Sequence, residues 1–388
     1  MNEFKFLFSR MPFQIIFYPT SRCNAFCSHC YNYHREVETS KDVELSLEEI
    51  DKITRKLGHV KALTISGGEP FLRTDLKEIV QLFYENSGVR YVSLHTHGYF
   101  TKRVVETVRA LMEELDGLTL ILCTSIDGPQ KLHDEIRGVP RGFDRMVETI
   151  KQIEEMKAEF PKLFILSSTI FSASTQKNYF ETIGFVRREF KTVKPSACFI
   201  RGEAKDLKEK EVDHSFYEEY LSYCQNNVDR TVKLFSAMAL KETLESMVAQ
   251  VVLNNHLEQR QTVPCQAGRK LLVIYENGSV YPCETLKENF GNLRDVDYDI
   301  NQLLFSNKGH ELKRKINPGM ECNCTWENAI TPSLLYDVKS YPRIAYNWFR
   351  LFVLGDRSRV DRSLTSTPAR RSSRDRGAGR PLPSPSGR

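Results

Sequence analysis

The 388-residue sequence predicts an α/β fold: an incomplete (β/α)6, TIM-like barrel followed by a small cysteine-rich domain with a β-hairpin and helices. Two observations predict the barrel. Short apolar segments alternate with amphipathic helical segments between residues 13 and 205, and unusual loop motifs follow the first four apolar segments. Such alternation is typical of βα units around a parallel sheet. A third observation, cysteines clustered near both ends, predicts the second domain.

Six apolar segments predict six strands: "FQIIFYPT", "ALTISGG", "YVSLHTHG", "TLILCTSIDG", "FILSSTI" and "SACFIRG". Amphipathic segments such as "LSLEEIDKITRKLG" and "TDLKEIVQLFYENS" separate them and predict helices. Six repeats are too few for a closed eightfold barrel, so we expect an open one. In such barrels the loops at the carboxyl ends of the strands carry the chemistry.

The sequence divides into five predicted parts. They are a barrel (residues 1–205), a helical connection (206–261), a cysteine domain (262–330), a C-terminal helix (331–355) and a disordered tail rich in Arg, Ser and Pro (356–388).

Charge and hydropathy exclude some classes of function. The tail carries nine arginines and three aspartates, so the rest of the chain is close to neutral and nucleic-acid binding is not expected of it. The apolar runs are too short to cross a bilayer, and the sequence lacks a secretory signal. We therefore expect a cytoplasmic protein without membrane contact. In that compartment ten clustered cysteines indicate metal ligands more than disulfides.

The loop after the first strand, "SRCNAFCSHC", holds three closely spaced cysteines, Cys23, Cys27 and Cys30. Thiolates suit iron–sulfur clusters or zinc, and structural zinc normally has four protein ligands. His29 could supply a fourth zinc ligand, but it lies between Cys27 and Cys30, where reaching the same ion would be cramped. Three thiolates around a cluster with one open iron is the favoured interpretation, and a disulfide plus a spare thiol is the alternative.

The motif "CNAFCSHC" resembles the signature of the radical S-adenosylmethionine (SAM) superfamily, and the resemblance covers roughly residues 13–330. It implies a 4Fe–4S cluster on the three cysteines, which would be the catalytic group, and SAM as cosubstrate. "GGEP" after the second strand is similar to a second family motif. By that similarity Gly67, Gly68, Glu69 and Pro70 bind the SAM amino group. His29 departs from the usual aromatic residue.

The segment "SIDGPQKLHDEIRG" is similar to one in the peptide-modifying branch of this superfamily. The similarity implies that Ser125 and Asp127 lie near the SAM ribose or the substrate, and that Arg137 lies near the SAM carboxylate. An arginine fork suits a carboxylate. Thr96 belongs to "THG", which stands where relatives often carry Thr-Asn-Gly, with His97 as a departure. A simple turn and a solvated ion pair are the alternative interpretations.

The stretch "LLVIYENGSVYPC" predicts a β-hairpin with a type I′ turn at Asn277-Gly278. Cys265 and Cys283 flank this hairpin, and Cys322 and Cys324 follow it. The arrangement resembles the SPASM or twitch domain of the same superfamily. It implies a second, auxiliary 4Fe–4S cluster on these four cysteines. Tetrahedral zinc is the alternative.

The resemblance implies reductive cleavage of SAM to a 5′-deoxyadenosyl radical, which abstracts hydrogen from a substrate. We expect a peptide or protein side chain, with a small metabolite such as a sugar or cofactor precursor as the alternative. An external one-electron donor such as flavodoxin or ferredoxin is implied. A non-catalytic zinc protein and an RNA-binding protein are alternatives from other classes. Cys123, Cys198 and Cys224 receive no function, because isolated cysteines are commonly buried apolar side chains.

Overall fold

The computed structural model describes residues 11–34, 43–227, 234, 236–316 and 322–354. Its nine strands form one sheet with the order β6-β5-β4-β3-β2-β1-β7-β8-β9. The strands are β1 (Gln14–Phe17), β2 (Ala62–Ile65), β3 (Tyr91–Thr96), β4 (Thr119–Ser125), β5 (Leu163–Phe171), β6 (Val193–Phe199), β7 (Leu271–Ile274), β8 (Ser279–Tyr281) and β9 (Gly291–Asn292).

Twelve α-helices are found in the described residues. They are α1 (Leu47–Leu57), α2 (Leu76–Ser87), α3 (Thr101–Glu114), α4 (Gln130–Arg137), α5 (Gly142–Glu155), α6 (Tyr179–Glu189), α7 (His214–Asn226), α8 (Ala237–Glu258), α9 (Ile300–Leu304), α10 (Asn307–Lys315), α11 (Glu327–Leu335) and α12 (Tyr341–Phe349). Short 3₁₀ segments and a π-helical turn, Arg350–Leu354, complete the described elements.

Strands β1 to β6 are parallel and neighbour one another in chain order, with helices in the connections. Leu63 and Ile65 of β2 are buried, as expected for a sheet covered by helices. Helix α1 begins at a capping box, in which Ser46 and Glu49 each bond the other's backbone N–H. The sequence prediction of an incomplete (β/α)6 barrel is confirmed.

The C-terminal hairpin continues the barrel sheet. Strand β7 pairs in parallel with β1, with Gln14 opposite Leu271 and Phe17 opposite Ile274. Strands β8 and β9 then add in antiparallel order. The main hydrophobic core runs through both parts of the chain, so the cysteine-rich segment packs directly against the first barrel strand.

The hairpin turn differs from the sequence prediction. A type I′ turn needs a positive φ at both central residues, but of the two only Gly278 has one (83°). The Gly278 N–H donates to the Tyr275 carbonyl at 2.9 Å, and the Tyr275 N–H donates to the Ser279 carbonyl at 3.0 Å. These bonds fit a type I turn followed by a glycine bulge, so the type I′ prediction was wrong.

A second apolar cluster lies at the β6 edge of the sheet. Phe199 of β6 packs there with Tyr217 of α7, Met247 of α8 and Leu334 of α11. The helical connection therefore covers the edge strand, which removes an unpaired edge from solvent.

Helices that combine the length and apolarity needed for a bilayer span are absent from the described parts of the chain. The predicted disordered tail, residues 356–388, lies outside the described residues.

A core substitution tests whether the two parts share one sheet. Leu272 of β7 is fully buried, and Leu272→Ala is expected to lower the free energy of unfolding by about 2–5 kcal/mol. Leu257→Ala, at a 37% exposed position of α8, is the control and should cost far less. Urea unfolding is followed by circular dichroism and tryptophan fluorescence. Coincident transitions support the shared sheet, and an earlier transition in one signal would contradict it.

Candidate active site

A cavity of about 190 Å³ opens at the carboxyl ends of the barrel strands. The predicted site residues that line it come from two loops, two strand ends and the last residue of helix α4. They are Cys23, Cys27, Cys30, Gly67, Gly68, Glu69, Thr96, Ser125 and Arg137. The structure thus brings together nine predicted residues that are spread over 115 positions of the sequence. Pro70 and Asp127 do not line the cavity.

The loop with the three cysteines has no regular secondary structure and is held by backbone hydrogen bonds to other loops. The Phe26 N–H donates to the Arg137 carbonyl at 2.8 Å, and the Lys205 N–H donates to the Cys30 carbonyl at 2.9 Å. These bonds satisfy backbone groups that would otherwise be buried without partners.

Two of the thiols already receive hydrogen bonds. The Ala25 N–H donates to Cys23 Sγ at 3.4 Å, and Arg137 Nη1 donates to Cys27 Sγ at 3.4 Å. Burial raises the pKa of Cys23 to about 12 and also raises the pKa of Cys27. Both thiols are therefore protonated in the metal-free protein, and binding of a metal or cluster must release their protons.

The two glycines of "GGEP" allow the second loop to pack against the cysteine loop. The Gly68 N–H donates to the Thr20 carbonyl at 3.0 Å. A Cβ at Gly68 would lie 2.1 Å from the Arg22 carbonyl oxygen, and one at Gly67 would lie 2.4 Å from the Thr20 oxygen. The close approach that the glycines allow in this structure is therefore to backbone, whereas the resemblance implied an approach to SAM.

The Glu69 carboxylate joins the second and third loops. It accepts hydrogen bonds from Thr96 Oγ1 (2.9 Å), the His97 N–H (2.9 Å) and the Phe71 N–H (3.1 Å). Burial raises the pKa of Glu69 to about 7, although these bonds favour the charged form. Glu69 faces the cavity, but most of its hydrogen-bonding capacity is used within the protein.

His97 stands where relatives often carry the asparagine of Thr-Asn-Gly, and its hydrogen bonds define its tautomer. Its Nδ1 accepts from the Tyr99 N–H at 3.0 Å, so the proton resides on Nε2 and is donated to Asn24 Oδ1 at 2.7 Å. Burial lowers the pKa of His97 to about 3, and the ring is neutral. The imidazole thus links the third loop to the residue after the first cysteine.

Asp127 lies behind the cavity wall, next to Arg137. It is fully buried, and its carboxylate accepts from Arg137 Nε at 2.6 Å and from the Ile170 N–H at 3.1 Å. Burial alone would raise the pKa of Asp127, but the Arg137 guanidinium and two histidines lower it to about 2. Because both oxygens are used inside the protein, Asp127 orients Arg137 and does not line the cavity.

Three buried polar atoms of the cysteine loop have no hydrogen-bond partner in the described structure: Ser21 Oγ, His29 Nδ1 and Asn32 Nδ2. Their residues all line the cavity. An unsatisfied buried polar group costs about 1–3 kcal/mol, so a polar ligand in the cavity would relieve this cost. The residues around the cavity therefore fit a cosubstrate with several polar groups, such as SAM. The sequence prediction missed Ser21 and Asn32.

The four C-terminal cysteines interact electrostatically. The pKa of Cys324 is raised by its hydrogen bond with Cys322, by burial and by the thiols of Cys265 and Cys283. The pKa of Cys322 is lowered to about 7 by the hydrogen bond with Cys324. The arrangement that the sequence predicted, a hairpin carrying two cysteines beside a two-cysteine loop, therefore places all four thiols near one another.

Backbone N–H groups two positions further along the chain point at two of these sulfurs. The Ala267 N–H lies 3.4 Å from Cys265 Sγ, and the Trp326 N–H lies 3.4 Å from Cys324 Sγ. Hydrogen bonds of this type stabilise thiolates and tune cluster potentials. In the described residues, no three side chains of His, Cys, Asp or Glu are grouped as ligands of a single metal ion.

A polar network that sequence reasoning missed joins the two cysteine regions. Glu284, which follows Cys283, accepts from Arg201 Nε at 2.8 Å and from the Tyr18 hydroxyl at 2.6 Å. The Tyr18 hydroxyl lies 2.7 Å from that of Tyr31, which follows the third cysteine of the loop. Arg201 and Tyr31 line the cavity. The network fixes the cavity wall relative to the C-terminal cysteines.

The inner face of the sheet also reaches the cavity. Its lining includes His95 of β3, Cys123 of β4, Ser168 of β5 and Cys198 of β6. A closed barrel would fill this interior with branched apolar side chains. Here polar and sulfur-containing side chains line it.

Comparisons with known proteins agree with this architecture. Residues 17–166 match the Radical SAM superfamily. An AdoMet-dependent heme synthase of Methanosarcina barkeri is 25% identical over 293 residues, 72% of this chain and 78% of that enzyme. A GTP 3′,8-cyclase of Mannheimia succiniciproducens is 31% identical over 139 residues, 34% of this chain and 41% of the cyclase.

Two solved structures share the fold. Native anSMEcpe with bound AdoMet and Cp18Cys peptide aligns with a TM-score of 0.54 at 18% identity, covering 88% of this chain and 96% of that one. Streptococcus suis SuiB bound to precursor peptide SuiA aligns with a TM-score of 0.52 at 16% identity, covering 87% of this chain and 76% of SuiB.

An alanine substitution tests the packing between the two loops. Gly68→Ala places a Cβ against the Arg22 carbonyl, so the loops must separate, and we expect the melting temperature to fall. Gly184→Ala is the matched control, because Gly184 lies within helix α6, where alanine is favoured by up to about 1 kcal/mol. Equal melting temperatures for the two variants would contradict the packing.

The buried carboxyl of Glu69 predicts a pH dependence. Its pKa is about 7 in the folded chain and 4.5 as the reference value, so folding favours the protonated form. The contribution of Glu69 to stability is therefore greatest below pH 4.5 and falls by roughly 3 kcal/mol as the pH rises through 7. Urea titrations at several pH values measure this slope. Glu69→Gln should flatten it, whereas the exposed control Glu106→Gln should not. An unchanged slope in Glu69→Gln would show that another group titrates.

Proposed function

We propose that the chain, whose residues 17–166 match the Radical SAM superfamily, is an enzyme that cleaves SAM reductively and abstracts hydrogen from a peptide or protein side chain. The supporting observation is the single cavity shared by the three-cysteine loop, the glycine loop and Arg137. Superfamily members use a 4Fe–4S cluster and SAM, and Cys23, Cys27 and Cys30 are the proposed cluster ligands.

The cluster would supply one electron at low potential, together with an iron that is open to the cosubstrate. The chain's own residues prepare the site for it. The Arg137 cation lies beside Cys27 Sγ, where it stabilises the thiolate form of that ligand. Asp127 keeps the guanidinium in this position. We assign Arg137 as well to the carboxylate of SAM, because it lines the cavity at the same point.

The polar atoms without protein partners are the proposed contacts for the cosubstrate. Ser21, His29 and Asn32 belong to the cysteine loop and line the same cavity. Ser125, at the carboxyl end of β4, adds a further hydroxyl to the cavity lining. Thr96 and Glu69 support the rim between them through their mutual hydrogen bond. In this assignment Glu69 contributes mainly by holding the loops, and its contact with the SAM amino group is secondary.

The C-terminal cysteines are the proposed ligands of a second 4Fe–4S cluster, as in a SPASM or twitch domain. Cys265, Cys283, Cys322 and Cys324 interact with one another, and two of their sulfurs receive backbone hydrogen bonds. The Glu284 network places this region beside the cavity. An external one-electron donor such as flavodoxin or ferredoxin would reduce the enzyme.

A peptide or protein side chain is the first candidate substrate. Support comes from the "SIDG" segment and from two structures of the same fold, whose descriptions name bound peptides. A small metabolite is the second candidate, because the heme synthase aligns over most of both chains and the cyclase aligns over 139 residues.

Cysteine substitutions separate the two proposed clusters. After anaerobic reconstitution with iron and sulfide, SAM and dithionite should yield 5′-deoxyadenosine, measured by chromatography and mass spectrometry. Cys27→Ser should abolish this product, because it removes a ligand of the SAM cluster. Cys324→Ser should lower iron and sulfide content while 5′-deoxyadenosine still forms. Cys224→Ser, outside both cysteine sets, is the control.

Two outcomes would contradict the assignment. Full 5′-deoxyadenosine formation by Cys27→Ser would exclude that cysteine as a ligand of the cluster that cleaves SAM. Loss of zinc instead of iron from Cys324→Ser would show that the C-terminal cysteines form a zinc site.

A further inference from the structure

Two thiols outside both cysteine sets line the cavity. Cys123 lies on β4 and Cys198 lies on β6. Both strands belong to the barrel sheet, whereas the proposed cluster ligands lie in the irregular loop after β1. The segment that follows β6 reaches this loop, because the Lys205 N–H donates to the Cys30 carbonyl at 2.9 Å.

Cys198 has a defined position in this wall. Its Sγ lies 3.3 Å from Ser168 Oγ on the neighbouring strand β5. Burial raises the pKa of Cys198 to about 12 and that of Cys123 to about 12, so both remain thiols near neutral pH. Cys123 is 7% exposed, whereas Cys198 is more open to the cavity. Of the two, Cys198 is better placed to touch a substrate.

We propose that Cys198 is a catalytic residue that donates a hydrogen atom to a carbon radical in this cavity. The proposal rests on the proposed function, which generates such radicals. It extends that function by naming the group that ends the substrate radical.

The step balances in atoms and electrons. The carbon radical takes the hydrogen atom of the Cys198 S–H bond, so that one C–H bond forms, one S–H bond breaks and a sulfur radical remains. An S–H bond is weaker than an aliphatic C–H bond, so the transfer is favourable. One electron from the external iron–sulfur or flavin donor, with one proton from water, restores the thiol.

An isotope experiment tests the proposal without the natural substrate. The reconstituted enzyme is incubated with SAM and dithionite in deuterium oxide and thiol-free buffer, so that the 5′-deoxyadenosyl radical itself is the carbon radical. Exchange converts S–H to S–D, and 5′-deoxyadenosine from the parent enzyme should carry one added deuterium. Cys198→Ala and Cys198→Ser should lose this label. Serine keeps a polar group near Ser168, but its O–H bond is too strong to donate.

Three further variants identify the donor. Cys224→Ser should keep the label, because Cys224 does not line this cavity. Ser66→Ala should also keep it, because the O–H bond of this cavity-lining serine is too strong to donate a hydrogen atom. Retention of the label in both Cys198 variants would overturn the proposal, as would loss of the label in Cys123→Ala alone. If no sample forms 5′-deoxyadenosine, the proposed function fails and this proposal fails with it. If the parent forms only unlabelled product, this proposal alone fails.

A measurement on the metal-free protein checks the thiol independently of turnover. Infrared difference spectra between parent and Cys198→Ala should show an S–H stretching band from a hydrogen-bonded thiol. Ser168→Ala should shift this band, because it removes the neighbouring hydroxyl. Absence of the band would overturn the proposal, since Cys198 would then carry no hydrogen to donate.

Discussion

The site depends on backbone hydrogen bonds that hold an irregular loop at the rim of the barrel. The cysteine loop is partly buried and has no helix or strand to satisfy its peptide groups, so neighbouring loops must do so. Thr20 and Arg22 accept from the glycine loop, Phe26 donates to the end of helix α4, and Cys30 accepts from the segment after β6. The backbone of the loop is thus fixed on three sides.

Two electrostatic effects in the cavity act on metal binding in opposite directions. Burial raises the pKa of Cys23 and Cys27, which disfavours the thiolates that a cluster needs. The Arg137 cation acts in the other direction at Cys27, and Asp127 holds this cation without leaving it as an unpaired buried charge. The free energy of metal–thiolate bonding would therefore offset the cost of deprotonating these buried thiols.

The sequence predicted the parts of this protein that depend on local pattern. Alternation of apolar and amphipathic segments was sufficient for the barrel, and spacing was sufficient for the three-cysteine loop. It could not predict that β7 would pair with β1, because such pairing depends on contacts between residues more than 250 positions apart. The turn at Gly278 was assigned the wrong type, because Asn-Gly is compatible with more than one hairpin geometry.

Among the site residues, too, local pattern predicted some positions, whereas others depend on contacts between distant parts of the chain. The sequence did not reveal that Asp127 would form a buried ion pair with Arg137, since a turn motif does not show which side chains become buried. Cys123 could have been recognised, because it lies two residues before Ser125 and therefore faces the same side of the strand. Nothing in the sequence indicated a role for Ser21 and Asn32 except their nearness to the cysteines.

The most direct test of the central claim is electron paramagnetic resonance of the anaerobically reduced, reconstituted protein with and without SAM. If the three-cysteine loop holds a 4Fe–4S cluster whose open iron binds SAM, addition of SAM will change the shape of the reduced-cluster signal. The change will persist in Cys324→Ser and vanish in Cys27→Ser. A reduced-cluster signal that is identical with and without SAM would contradict the account.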